Sequence, residues 1–129
     1  MGAIALLRKA LEQYPAVQLS SDARGVSVKP ALPNGFEVSL MEDAHETFVF
    51  FEGWHEHFSS AEEAVKCFLF GLSPRCRIRV QRRGGYPYRW TLEGYEDEKW
   101  VAYGQTGLIF FPFWRRPEVV YLQNAHIDA

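Results

Sequence analysis

The sequence predicts an α+β protein: a helix, two strands, a second helix and four further strands, in the order α-ββ-α-ββββ, giving a largely antiparallel sheet with two helices on one face. Three observations carry this expectation. Two segments place apolar residues at helical spacing, most other apolar residues fall in short runs of period two, and the connections between those runs are too short to hold crossover helices. With 129 residues, 47% of them hydrophobic and 16% aromatic, the chain fits one domain over residues 1–129 and can fill its core without disulfide or metal scaffolding.

In the first segment Ile4, Leu7, Leu11 and Tyr14 trace a single helical stripe, which Pro15 ends. Ser20-Ser21-Asp22, Gly25, Pro30, Pro33 and Asn34-Gly35 then supply loop chemistry around a short strand over Gly25–Lys29. Phe36, Val38 and Leu40 alternate with Glu37 and Ser39, and the β-branched and aromatic run Thr47–Phe51 forms the next strand, joined through Glu42–Glu46. Ser60 and Glu63 make a capping box for the second helix, because the hydroxyl and the carboxylate can satisfy each other's free amides. Its stripe is Ala61, Ala64, Val65, Phe68, Leu69 and Leu72, with Gly71 and Ser73-Pro74 as the stop.

The clearest hairpin follows. Cys76, Ile78 and Val80 alternate with arginines, Gly84-Gly85 marks the turn, and Tyr88, Trp90 and Leu92 alternate with Arg89, Thr91 and Glu93. A two-residue loop would mix polar and apolar residues on each face. A three-residue loop including Tyr86 pairs Val80 with Trp90, Ile78 with Leu92 and Arg77 with Glu93, and is preferred because a one-residue slip flips every side chain. Glu96-Asp97-Glu98 reads as a turn, Trp100–Tyr103 as a strand, Gly104–Gly107 as a turn, and Leu108–Phe111 and Val119–Leu122 as the closing strands.

Fourteen Lys and Arg against sixteen Asp and Glu leave a net charge of −2, too balanced for a global attraction to nucleic acid or to a membrane surface. The longest apolar run, Leu108–Trp114, is far short of a bilayer crossing. The N-terminal segment carries its basic pair after its apolar run, the reverse of an export signal, so a cytoplasmic protein with free, inert Cys67 and Cys76 is expected.

Among candidate chemical residues, His55 and His57 stand two apart on an extended segment and would point the same way, close enough to share a metal ion. His45 is the nearest third ligand, about 25 Å away if Thr47–Phe51 is extended, so solvated surface histidines are the simpler reading and no metal is assigned. Charge is segregated: Ala31–Val65 has eight acids and no Lys or Arg, while Ala64–Leu92 has seven bases and no acid. Arg75, Arg77, Arg79 and Arg89 on one face form a possible anion-binding strip with Tyr86 nearby, although pairing with Glu37, Glu52 and Glu93 across the sheet is the stronger explanation. The carboxylates of Glu42-Asp43 and Glu96-Asp97-Glu98 fall in solvated tips, and no serine or cysteine sits in a nucleophile motif. No catalytic residue and no cofactor is assigned.

Leu108–Trp114 does not alternate, so both its sides call for burial. Two helices cover one face of a sheet. A homodimer is therefore expected, with Phe110, Phe111, Phe113 and Trp114 in its interface and Arg115 and Arg116 at its rim; the alternative cover is the Ala16–Gly35 loop. The sequence thus points to a non-catalytic interaction or ligand-binding module. The alternatives are a metal- or histidine-dependent enzyme using His55 and His57, or a nucleic-acid binder using the Arg75 to Arg89 face.

Overall fold

Alternation of apolar residues produces two antiparallel sheets in the computed structural model, which describes residues 2–127. Helix α1 (Ala3–Ala10) runs into one 3-10 turn, Leu11–Gln13, and α2 spans Ala61–Leu72. The first sheet has the order β1-β2-β3-β4-β5, from Ser20–Ser21, Gly25–Val28, Val38–Glu42, Thr47–Phe51 and Trp54–Phe58. The second has the order β8-β7-β6-β9, from Cys76–Arg83 (β6), Tyr86–Glu96 (β7), Lys99–Gly107 (β8) and Pro117–Gln123 (β9). The α+β class and the antiparallel pairing agree with expectation. The division into two sheets does not, and its cause is α2, which sits between β5 and β6 in the chain and separates the two meanders.

Both helices lie on one face of the first sheet. There Val26, Val28, Val38, Leu40, Val49 and Phe51 alternate inward and are buried with Leu7, Leu11, Ala64, Phe68 and Leu72, each large side chain contributing roughly 2 to 3 kcal/mol of transfer free energy. The second sheet joins this core through Cys76, Ile78, Val80 and Leu92. The Ser60 hydroxyl accepts from the Glu63 amide at 3.3 Å, as the capping motif requires. Gly71 lies inside α2 rather than ending it, because a Cβ there would stand 2.5 Å from the Phe51 ring. Its function is close packing.

The β6–β7 hairpin has the expected partners, Val80 with Trp90, Ile78 with Leu92 and Arg77 with Glu93, reached by another device. Gly84 and Gly85 form a two-residue turn with φ of 58° and 83°, the left-handed pair that matches strand twist. A bulge then inserts Tyr88, so Arg82 pairs with Pro87 and Gln81 with Arg89. The segment Gly104–Gly107 is not a turn: it is the end of β8, opposite Leu92 to Arg89. Leu108–Phe111 is not a strand. The ladder between β7 and β8 ends at Arg89 opposite Gly107, beside the bulge, where the Tyr88 carbonyl accepts from the Leu108 amide at 2.8 Å, and Pro112 has no donor with which to resume pairing.

Candidate interaction surface

From the end of β8 the chain crosses the β6–β7 hairpin tip to reach β9 on the opposite side of the sheet. Four contacts fix this crossing. Besides the Leu108 amide on Tyr88, the Phe111 ring stacks on Tyr88 with centroids 4.1 Å apart and planes 11° apart. The Arg83 guanidinium donates to the Arg115 carbonyl at 3.3 Å, and the Gly84 amide donates to the Arg116 carbonyl at 2.9 Å. Inside the loop the Arg115 amide donates to the Pro112 carbonyl at 2.9 Å. Phe111 is thus the anchor.

Its neighbours face solvent: Ile109 is 88% exposed, Phe110 89%, Phe113 69% and Trp114 72%. Together with Gly84, Gly85 and Tyr86 the loop encloses an open hollow of about 810 Å³. The Ala16–Gly35 segment, expected as an alternative cover, is instead committed to the first sheet as β1 and β2. Of the residues assigned to an interface from sequence, Phe110, Phe113 and Trp114 are exposed, Phe111 is half-buried against Tyr88, and Arg115 and Arg116 stand at the edge of the patch.

The arginine strip shares one face of the second sheet only in part. Arg77 donates through Nε to the Glu93 carboxylate at 2.6 Å, and its guanidinium lies 4.2 Å from the Trp100 ring centroid and 4.1 Å from that of Tyr121. It is held in place. Arg79 and Arg89 lie on the same face, with Arg79 Nε buried and without a partner and Arg89 packed 5.7 Å from the Tyr88 ring centroid. Arg75 precedes β6 and is exposed. Of the three expected acidic partners only Glu93 engages the strip; Glu37 pairs with Lys29, and Glu52 occupies the β4–β5 turn at φ 55°.

His55 and His57 do share a face of β5, exposed opposite Phe50 and Phe48. Among the described residues no three His, Cys, Asp or Glu side chains are grouped to hold a metal ion. His45 sits in the β3–β4 turn, where the Asp43 carboxylate accepts from the amides of His45 and Glu46, each at 2.8 Å. Those two bonds hold the Asp43 carboxyl below its ordinary range, the opposite of what a general acid requires. Burial pushes the Cys67 thiol up to about 12 and Cys76 higher still, so neither is poised as a nucleophile.

Sequence reasoning missed Asn124. It is 1% exposed, accepts from the Phe36 amide and donates to the Phe36 and Gly71 carbonyls, all at 3.0 Å. A polar residue just beyond a strand carries no sign of burial. No protein-family model, curated protein or solved structure matches this chain.

Proposed function

We propose that this protein is a non-catalytic interaction module that docks a partner on the Leu108–Trp114 loop. The observation that carries this reading is the loop's construction. A loop free to collapse would hide its aromatic rings, whereas this one is tied down at Leu108, Phe111, Arg115 and Arg116 with Ile109, Phe110, Phe113 and Trp114 held outward. Preorganised, exposed aromatic residues are the usual energetic centre of a protein interface, because little entropy remains to be lost on binding. A homodimer through the same residues, with Arg115 and Arg116 at its rim, is the second form of this reading. The contiguous apolar surface favours it. A photocrosslinking residue placed at Phe110 in the cell of origin should give one adduct of discrete mass, lost when Phe113→Asp is added. Equal labelling from a crosslinker at the exposed Gln18 would remove the reading.

A further inference from the structure

The end of the second sheet that carries the loop also carries a free strand edge. In the β6–β9 ladder the Arg116 carbonyl accepts from Gly84, so even-numbered residues of β9 turn their backbone groups toward β6. Odd-numbered residues turn theirs outward. Gln123 confirms the phase: its amide donates away from the sheet, to the Asn34 carbonyl at 2.8 Å. Among the described residues the outward amides and carbonyls of Val119 and Tyr121 have no partner.

The other edges are guarded and this one is not. Strand β1 has two residues, β5 shows His55, Glu56 and His57 to solvent, and β8 opens with Lys99 and is broken by a bulge at Tyr103. Strand β9 pairs in unbroken register over seven residues, has proline only at its first position, and exposes Val119 and Tyr121, each 44%. Such an edge is a template for another strand.

Charge states what kind of strand. Arg82, Arg83, Arg115 and Arg116 gather where β9 begins. The acid beside them is Glu118, 3.9 Å from Arg82. This basic corner belongs to a chain of net charge −2. A second copy brings the same basic corner, and like charges juxtaposed across an interface oppose association. A lipid surface can answer the charge and the apolar loop, but it offers no polypeptide ladder to Val119 and Tyr121.

We infer that the occupant is an extended segment of another protein, alternating acidic and apolar residues, which adds to the second sheet as a fifth strand beside β9 with its carboxylates toward Arg115 and Arg116. This rests on the reading of the chain as an interaction module, and names the partner class for the same corner of the molecule.

The test is amide-resolved NMR titration with a short synthetic peptide in which Asp alternates with Val and Phe. The Val119 and Tyr121 amides should shift and gain exchange protection, and the matching Lys peptide should bind at least about tenfold more weakly. Val119→Pro removes one outward donor while leaving the bonds to β6 intact, so it should keep the native spectrum and weaken the Asp peptide about tenfold. If that variant misfolds, N-methylation of the peptide at alternate amides tests the same ladder, and one of the two methylation phases should abolish binding. Arg115→Glu with Arg116→Glu should reverse the preference between the Asp and Lys peptides. Equal binding of both peptides, or no change at Val119 and Tyr121, overturns the inference. Binding to phosphatidylserine vesicles that shifts Ile109 to Trp114 and leaves the β9 amides unmoved assigns the corner to a membrane instead, and also overturns it. Loop variants such as Phe110→Ser fail with the interaction reading itself; edge variants fail with the inference alone.

Discussion

Arg77 shows how one side chain can tie together all four strands of a sheet on one face. Its Nε–H meets Glu93, which is 8% exposed, while Trp100 and Tyr121 close over the two sides of the guanidinium. The ion pair was legible in the sequence, since register alone sets Arg77 opposite Glu93. The aromatic sandwich was not, because Trp100 and Tyr121 lie on β8 and β9, and their approach depends on the strand order across the sheet. Removing the guanidinium strands a nearly buried carboxylate, so Arg77→Ala should cost about 3 kcal/mol in urea melts. Arg77→Lys should recover less than half of that, because an ammonium keeps the charge but not the flat surface that stacks between two rings. A loss under about 1 kcal/mol for the alanine variant would show the pair to be solvated.

At the scale of elements, the β6–β7 hairpin separates what alternation can specify from what it cannot. Alternation determined the partners of Val80, Ile78 and Arg77, but not how the extra residue is absorbed. A three-residue loop and a two-residue turn with a bulge give the same register beyond Gln81, and the choice fell to glycines able to take positive φ. The bulge has a consequence: it places Tyr88 where Phe111 stacks, so the anchor of the exposed loop is set by the neighbouring hairpin. Trp90 lies over the β4–β5 turn, where a Cβ on Gly53 would come 2.2 Å from its ring. Trp90→Ala should therefore cost about 3 kcal/mol, at the low end for an aromatic truncation because the ring is half-buried. Gly53→Ala should cost about 2 kcal/mol by overpacking. In the Trp90→Ala background the same Gly53→Ala change should cost far less, and additive losses in the double-mutant cycle would mean that the two do not touch.

For the whole molecule, the fold class was readable from periodicity, while the split into two sheets was not, because strand pairing across a helix is a tertiary choice. Asn124 belongs to the same kind of information: it joins the segment after β9 to Phe36 and to the end of α2, at sequence separations of 88 and 53. The apolar loop was legible as a demand for burial, but its shape was not, and shape decides how two copies can meet. Symmetric pairing through the exposed Phe110, Phe113 and Trp114 would bury them and at the same time bring two sets of Arg83, Arg115 and Arg116 together. The apolar term does not depend on ordinary salt, whereas the repulsion between exposed charges fades as the screening length falls from about 10 Å at 0.1 M toward about 3 Å at 1 M. Self-association should consequently strengthen with sodium chloride, the reverse of binding to an acidic partner. Light scattering coupled to size exclusion should give a mass near 14.9 kDa at low salt, rising toward a dimer at high salt and tens of micromolar protein. Phe113→Asp should abolish that rise, and a dimer that is stable at low salt and weakened by added salt would show that opposite charges, not the apolar loop, hold the two copies together.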